Sequence, residues 1–459
     1  MMFPMMPTVS SFQQGESPVF TDSARPLDIP TFVQHYTGAE FVFASPNATL
    51  LVSDMTPVPT NTSHITTRER VNAAFSDALA GDRARGGNKA IPIVVGAVPF
   101  DGSAPAALSI ARNYTPGGPL LRQSATSPDL RAIDTQRSTI DALSGASAQA
   151  EGVAMRVARE QPWPAPAVYE AAVADALARF KTGALGKVVL SRTLALQFDA
   201  PLRLPGLIQR LLQKNVHGYT YSVPVPTSMW APVATLDRSD PAALTVRADR
   251  VFLGATPELL VRRVGRRVFL NPLAGSAARR LDPDEDQAVA RALMSSAKDL
   301  QEHAIVIDAI AQVLGPMCST LDVPSTPSLT STDALWHLST TIEGELADPC
   351  VTSLDLAFAL HPTPAVCGYP VAAAQSAIAE LEPFDRGLFA GFVGWIDANG
   401  DGEWAVSLRC AVCGPSDATL YAGAGIVPGS VPERETAETQ TKFRTMLSAL
   451  GLGGAIAAG

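Results

Sequence analysis

Hydrophobic and polar positions along the chain predict strands and helices in irregular succession. KVVLSRTLALQF at 187–198 is an apolar run with β-branched residues, typical of a buried strand. VYEAAVADALARFKTG at 168–183 has its apolar residues at helical spacing. Residues 250–280 predict strand, turn, strand and loop, and residues 285–315 predict one long helix. Strands therefore mix with helices in this half of the chain.

The C-terminal part continues this mixture. Residues 332–346 predict a strand, and 355–381 predict helix, Pro-rich loop, helix. Two further strands, within 387–398 and 403–413, pair across the Gly-rich turn DANGDGE. Because no strict βαβ alternation is present, the pattern predicts an α+β fold in which helices pack on antiparallel sheet in a single large domain.

The domain organisation follows the density of these patterns. Residues 1–85 contain short alternations such as EFVFAS and TLLVSD, which predict edge strands and loops that belong to the same fold. Residues 86–455 form the predicted catalytic domain, which is dense in motifs from residue 185. No repeat of 20 to 50 residues divides the chain.

Composition and charge restrict the partners. The chain has 459 residues, a formal net charge of -9 and 46% hydrophobic residues. Nucleic acid and anionic membrane surfaces both select clustered Lys and Arg, so neither is expected as a partner. No signal-like or membrane-spanning run is present, and five cysteines without a secretory signal predict reduced thiols in the cytoplasm. An anionic ligand must therefore be held by a few local cations or a metal ion.

The stretch VPERETAETQTKF at 431–443 predicts a helix with charges on one face. Ser430 and Glu433 have the spacing of a capping box, and Glu435, Glu438 and Lys442 follow at intervals of three and four. The face is either a solvated salt-bridge stripe or part of a site. The preceding LYAGAGIVPGS offers a glycine-lined backbone at a helix N-terminus, which suits a carboxylate.

Other charged residues interrupt apolar runs. Lys187 opens the buried strand, Glu258 lies in GATPELLVRR, Glu302 lies in the long helix, and Arg409 lies within AVSLRCAV. Each could be a structural ion pair or a snorkelling charge at a strand end. Together with the helix face above, they supply the amine, carboxylates and arginine that a dianionic substrate and Mg2+ would need.

Nine ordered blocks extend this reading: GKVVLSR, GATPELLVRR, NPLAGSAARR, SAKDLQEH, LWHLSTTIEGEL, LHPTPAVCGYP, ELEPFDRGLFAGFVGW, GEWAVSLRCA and YAGAGIVPGSVPERETAETQTK. In this order they resemble the chorismate-utilising enzymes, which include isochorismate, salicylate, anthranilate and aminodeoxychorismate synthases. The similarity extends from about residue 90 to 450. It implies one large domain with two mainly antiparallel sheets flanked by helices, in the manner of anthranilate synthase component I.

The resemblance also implies roles for single residues. Lys187 would be the base that activates water and Glu258 the acid that protonates the departing hydroxyl. Glu302 and Glu438 would hold Mg2+, and Glu435 would assist through water. The residues that the resemblance places around chorismate are Gly275, Ser276, His337, Ala365, Arg409, Gly423 and Lys442.

Three positions narrow the expected activity within the family. Ala274 stands where aminodeoxychorismate synthases present a lysine, and Lys187 stands where anthranilate synthases keep none. Ala365 is the small residue of isochorismate synthases, where salicylate synthases carry threonine. The resemblance therefore implies an isochorismate synthase that feeds siderophore, salicylate or menaquinone synthesis.

Several alternatives to this activity stay open at the sequence level. Salicylate synthase is the main one, followed by anthranilate synthase component I and a non-catalytic homologue that only binds a carboxylate. The expected partner is the small molecule chorismate, and the expected assembly is a monomer, with a weak dimer as its alternative.

Overall fold

The computed structural model describes most of the chain, as a mixture of helices and antiparallel strands. The described residues are 29–60, 64–84, 91–118, 156–183, 185–215, 217–225, 250–332 and 334–453. Nine α-helices lie within these ranges: Ile29–Val33 (α1), His64–Ala84 (α2), Pro166–Phe180 (α3), Leu204–Lys214 (α4), Pro283–Ser295 (α5), Ala297–Leu314 (α6), Ser353–Leu360 (α7), Val371–Leu381 (α8) and Pro432–Ala449 (α9). None of the described helices is both long and apolar enough to cross a membrane.

The larger sheet contains ten of the described strands, each antiparallel to its neighbours. Nine of them lie side by side in the order Gly368–Tyr369 (β18), Lys187–Phe198 (β8), Asp417–Ile426 (β22), Cys410–Cys413 (β21), Arg250–Thr256 (β10), Tyr219–Val225 (β9), Phe41–Ala44 (β1), Thr49–Val52 (β2) and Tyr114–Gly117 (β6). Val157–Trp163 (β7) also pairs with β8. The long strands β8 and β22 thus lie together near one end of the sheet.

A second sheet of nine described strands and a third of three complete the strand architecture. The second has the order Cys318–Asp322 (β14), Ile342–Leu346 (β17), Arg267–Asn271 (β12), Leu259–Val264 (β11), Gly402–Val406 (β20), Phe392–Asp397 (β19), Ile93–Val98 (β4), Ala107–Ala111 (β5) and Thr56–Pro57 (β3). The third has the order Leu273–Ala278 (β13), Leu335–Ser339 (β16) and Ser328–Ser331 (β15).

The larger sheet is buried on both faces. Along β1, Phe41 and Phe43 belong to a core cluster that joins residues of both large sheets. The alternate residues Val42 and Ala44 belong to a second cluster, which α1, α4 and α9 cover. Because successive side chains of a strand point to opposite faces, a strand in this position carries apolar residues on both faces. This explains why the apolar residues of β8 are consecutive at Val188, Val189 and Leu190.

The predicted α+β class with antiparallel sheets is confirmed, and the differences are local. The small third sheet was not predicted. The helix predicted over 285–315 is two helices, since Ser296 ends α5 and its hydroxyl accepts a hydrogen bond from the Asp299 N–H of α6 at 3.3 Å. The strand predicted over 332–346 is likewise two strands, β16 and β17.

The N-terminal region differs more from its prediction. Its strands β1 and β2 lie inside the larger sheet between β9 and β6, not at an edge. Helix α2 was not predicted in this region, although Val71, Phe75 and Ala78 are buried at helical spacing. The other residues of this helix are mostly polar or small, so its amphipathic pattern is weak in the sequence.

A buried ion pair fixes β8 to the loop after α7. Arg386 Nη2 and Nε lie 2.6 and 2.8 Å from the two carboxylate oxygens of Glu382. The same guanidinium donates to the carbonyl oxygens of Val366 at 2.8 Å and Val189 at 2.7 Å, and the Ser191 N–H donates to Glu382 at 2.7 Å. A bidentate, charge-assisted network of this kind is geometrically specific. It sets the position of β8 relative to Val366.

We predict that Arg386→Met lowers the free energy of unfolding by about 3–5 kcal/mol, because it leaves the Glu382 carboxylate buried without its cation. Chemical unfolding followed by circular dichroism measures the change. The control is Arg179→Met, which breaks an exposed pair with Glu380 at 2.7 Å and should cost about 0–1 kcal/mol. A loss for Arg386→Met as small as that of the control would contradict the role given to the network.

Candidate active site

One polar cavity collects most of the residues singled out in the sequence. It lies where β22, β13 and β16 meet α6, α9 and the loops at Glu258, Ala365 and Arg409. Ten of the twelve predicted site residues line it: Glu258, Gly275, Ser276, Glu302, His337, Ala365, Arg409, Gly423, Glu438 and Lys442. The other two, Lys187 and Glu435, lie directly behind lining residues. The structure therefore brings the whole predicted set together.

Lys187 is fully buried at the start of β8 and faces Glu302. Its Nζ lies 2.9 Å from Glu302 Oε1, an ion-pair distance, although the approach lacks hydrogen-bond geometry. The two-residue period of the strand places Lys187 on the same face as Val189, which lines the cavity. A Cβ atom on Gly425 would lie 2.5 Å from Glu302 Oε1, so a side chain there would displace this carboxylate oxygen. The ammonium group thus lies one layer behind the cavity wall.

Glu258 lies between β10 and β11, with its side chain directed into the cavity. The residue is only 3% exposed. Burial raises the pKa of its carboxyl to about 7, against the opposing effect of a backbone hydrogen bond from Leu273 and of Lys187, Arg409 and Lys442. At neutral pH a large fraction of this carboxyl therefore carries a proton, which it can donate.

Helix α9 turns its charged face inward. Lys442 Nζ lies 2.6 Å from Glu438 Oε1 and donates to the Gly423 carbonyl oxygen at 2.8 Å. The Ser276 hydroxyl lies 3.4 Å from the same Glu438 oxygen. Desolvation opposes ionisation of Glu438, but Lys442 and other nearby cations outweigh it and lower the pKa of this carboxyl. The interpretation of this face as a solvated stripe is therefore wrong.

Glu435 lies on the same helix but outside the cavity lining. It is buried, and its Oε1 is 3.7 Å from Nζ of Lys298. Burial, followed by the neighbouring Glu438, raises the pKa of its carboxyl. The predicted capping box of Ser430 and Glu433 is absent: Val431 is the N-cap, and the Ser430 hydroxyl instead accepts a hydrogen bond from the N–H of Val427. Pro432 occupies the first helical position, where its lack of an N–H group removes one of the donors that a cap would otherwise satisfy.

Arg409 and His337 provide the remaining polar wall. Arg409 adopts a left-handed backbone conformation with φ 48°, and burial lowers the pKa of its guanidinium to about 10. Burial, and then the cations Arg409 and Lys442, lower the pKa of His337, so its ring is neutral. His337 Nε2 is buried without a hydrogen-bond partner among the described residues. A buried nitrogen of this kind is a natural contact for a ligand.

Mg2+ is implied by the family resemblance, and the carboxylates around the cavity fit it. Burial raises the pKa of Asp299, and Glu302 and Glu438 raise it further, so three carboxyl groups interact across the same space. Within the described residues no three His, Cys, Asp or Glu side chains converge as a preformed metal centre. Mg2+ commonly uses only one or two carboxylates, completed by substrate and water. Glu302 and Glu438 suit that arrangement.

Sequence reasoning missed several residues that line the site, among them two charged residues and a glycine. Lys298 and Asp299 line the cavity from the first turn of α6, and Gly425 lines it from β22. Asp299 precedes Glu302 by three residues, so helical spacing alone places both on one face. Gly425 stands two residues after Gly423, and the period of a strand places both on the cavity side.

The arrangement can carry acid–base chemistry on an anionic ring. A carboxyl that is partly protonated at neutral pH, Glu258, lines the cavity, and the amine of Lys187 lies one layer behind its wall. Lys442 and Arg409 offer positive charge to carboxylates of a ligand, and Glu302 with Glu438 offers oxygen ligands to a cation. A site with an acid, a base and two anion contacts suits a transfer of hydroxyl or water on a dicarboxylate.

Comparisons with known proteins agree with this chemistry. The family model described as "Chorismate binding enzyme" matches residues 121–231 and 239–451. The isochorismate synthase DhbC of Bacillus subtilis is 43% identical over 420 residues, covering 92% of this chain and 96% of the relative. The vibriobactin-specific isochorismate synthase of Vibrio cholerae is 38% identical, covering 79% of this chain and 80% of the relative.

A solved structure is also similar to this chain. The crystal structure of a putative 2,3-dihydroxybenzoate-specific isochorismate synthase, DhbC from Bacillus anthracis, superposes with a TM-score of 0.78 at 38% identity. The match covers 92% of this chain and 99% of that one. The similarity therefore extends over the sheets, the helices and the cavity together.

We predict that the raised pKa of Glu258 makes the protein less stable as the pH rises. The folded carboxyl holds its proton more tightly than the unfolded one, so its contribution is complete below about pH 4.5 and is lost as the pH rises through about 7. Relative to Glu258→Gln, the wild type should lose roughly 3 kcal/mol of unfolding free energy between pH 4.5 and pH 8. Urea unfolding of both proteins across this range measures the difference, with the exposed Glu380→Gln as control. Parallel pH profiles for wild type and Glu258→Gln would contradict the prediction.

Proposed function

Because the chain belongs to the family of chorismate binding enzymes, we propose that it is an isochorismate synthase, which isomerises chorismate to isochorismate. Water adds at C2 of the ring, and the hydroxyl at C4 leaves as water. The observation that carries the proposal is that a buried carboxyl with a raised pKa, Glu258, lines the same cavity behind whose wall the buried amine of Lys187 lies. Relatives of this activity match most of the chain.

Lys187 and Glu258 divide the two proton transfers between them. Lys187 in its neutral form takes a proton from the attacking water, so its pairing with Glu302 must loosen during the reaction. Glu258 gives its proton to the departing C4 hydroxyl. One proton is accepted and one is donated, so exchange with solvent restores both groups.

The anionic substrate needs countercharge. Lys442 and Arg409 face the cavity and bind the carboxylates of chorismate. Gly275, Ser276 and Gly423 shape the wall without bulk, and the unpartnered Nε2 of His337 offers one further polar contact.

Mg2+ is part of the proposal. Glu302 and Glu438 would hold it, with Glu435 behind them assisting through water. When bound there, Mg2+ would draw electron density from the ring carboxylate and so favour departure of the hydroxyl.

Two small residues limit the reaction to isomerisation. Ala274 and Ala365 both line the cavity. Ala274 has no amine to attack the ring, and Ala365 has no hydroxyl to hold the substrate in the geometry for pyruvate loss. The second candidate is salicylate synthesis, in which isochorismate formation is followed by loss of pyruvate.

The product is proposed to enter siderophore synthesis. Two relatives support this pathway, since one is named vibriobactin-specific and the other 2,3-dihydroxybenzoate-specific. A monomeric state and a cytoplasmic location stay predictions from the sequence.

We predict that the purified protein with chorismate and Mg2+ yields an equilibrium mixture of chorismate and isochorismate, reached from either substrate, with little pyruvate. Lys187→Ala and Glu258→Gln should each lower kcat by about 10²-fold or more, the usual contribution of a proton-transfer group. Chromatography of the reaction measures both effects. Stoichiometric pyruvate and salicylate would establish the second candidate instead, and near-normal turnover in either variant would refute its assigned role.

We predict that EDTA abolishes turnover and that added Mg2+ restores it. Glu438→Gln should bind Mg2+ at least about 10-fold more weakly, since one of two protein ligands is lost. Isothermal titration with Mg2+ measures the affinity without turnover. The control is Glu433→Gln, an exposed carboxylate on the same helix, which should titrate like the wild type. Full activity in metal-free buffer would rule out the metal site.

A further inference from the structure

His303 is a buried side chain next to Glu302 that none of the roles above uses. It is 3% exposed and extends from α6 toward the start of β13. Its Nδ1 lies 3.2 Å from the carbonyl oxygen of Ala274, and its Nε2 lies 2.7 Å from the hydroxyl of Thr340. Both ring nitrogens of this buried side chain therefore have a hydrogen-bond partner.

The partners define how the ring is protonated. A carbonyl oxygen only accepts hydrogen bonds, so Nδ1 must carry the hydrogen that points at Ala274. A ring with its one hydrogen on Nδ1 then accepts the Thr340 hydroxyl hydrogen at Nε2. The two contacts together hold the imidazole in one orientation.

The same contacts connect the helix of Glu302 to the strand that reaches Glu438. Ala274 belongs to β13, where the register with β16 shifts between Leu273 and Ser276. The Ala274 and Gly275 backbone therefore lies outside the regular ladder and needs another support. Two residues after Ala274, the Ser276 hydroxyl lies 3.4 Å from Glu438 Oε1.

Close packing at Gly275 makes this connection rigid. A Cβ atom on Gly275 would lie 3.1 Å from the Cβ of Asp299 on α6, so helix and strand are already in contact there. Thr340 is also tied to the start of β13, because its N–H donates at 3.4 Å to the carbonyl of Pro272, the residue that precedes this strand. His303 lies at the centre of these contacts.

We infer that His303 is a positioning residue, which holds β13 against α6 through Ala274 and Thr340 and thereby sets the spacing between the carboxylates of Glu302 and Glu438. The inference rests on the proposed function, since that spacing matters for the Mg2+ which these two groups would hold. Residues behind metal ligands commonly change affinity or activity by 10–100-fold when removed.

The test measures Mg2+ binding by calorimetry in the absence of substrate, together with kcat and KM. His303→Leu should weaken Mg2+ binding and lower kcat/KM by about 10–100-fold each. His303→Asn, which keeps a donor at the Nδ1 position, should recover most of the loss. Thr340→Val removes only one hydroxyl and should give a smaller change in the same direction. His35→Leu, at an exposed histidine, is the control and should match the wild type.

Each outcome separates this inference from the function on which it rests. Wild type that neither binds Mg2+ in the titration nor needs it for turnover would refute the proposed metal site and the inference with it. Wild type that binds Mg2+ while a folded His303→Leu binds it equally well would overturn only the inference. If His303→Leu does not fold, Thr340→Val decides in the same way. Nitrogen-15 NMR of labelled histidine, assigned with His303→Asn, should show the Nδ1–H tautomer in the wild type, and an Nε2–H tautomer would also overturn the inference.

Discussion

Burial of the Lys187 ammonium at the start of β8 is the constraint around which the site is arranged. A charge in the protein interior is stable only with a partner of opposite sign, and here Glu302 is that partner at 2.9 Å. The partner reaches Lys187 because Gly425 leaves the necessary room on β22. The strand itself is held by β22 along one edge and by the Glu382–Arg386 network beyond the other. Fold and site therefore depend on the same strand.

Three carboxylates at the site are paired with lysines. Lys187 faces Glu302, Lys442 faces Glu438, and Lys298 lies near Glu435, so each of these three carboxylates has a cation within 4 Å. These lysines occupy the oxygen atoms that a divalent cation would otherwise bind. In the proposed reaction, Glu302 and Glu438 would hold Mg2+, and the ammonium groups that they release would be available to the carboxylates of a dianionic substrate. The proposed substrate and metal would thus complement the charges of the site.

The sequence could predict the members of the site better than their connections. Lys187, Glu258 and Arg409 stand out because charges interrupt apolar strands, and the resemblance then assigns them roles. Glu382 and Arg386 give no comparable signal, because a Glu and an Arg four residues apart usually form an exposed pair. Whether such a pair is buried depends on contacts with Val189 and Val366, which are distant in sequence.

Element boundaries were harder to predict for a similar reason. Ser296 interrupts the predicted long helix because its hydroxyl is better placed as an N-cap than inside the helix. The capping box predicted at Ser430 does not form, since the Ser430 hydroxyl accepts a hydrogen bond from the Val427 N–H in the preceding turn instead. In both places a local hydroxyl decides between two acceptable partners, and only the path of the backbone settles the choice.

The unsatisfied polar atoms at the cavity provide the last step from structure to function. Among the described residues, Lys187 Nζ and His337 Nε2 are buried without hydrogen-bond geometry to any partner. An unmade hydrogen bond of a buried group costs about 1–3 kcal/mol. A protein optimised only for stability would replace these groups with apolar ones. Both atoms lie at or just behind the wall of the cavity that also contains Glu258 and Arg409, which suits the proposed function, because a polar substrate and its attacking water would supply hydrogen-bond partners there. The cost of burying these groups would in this way be recovered as binding and orientation of the substrate.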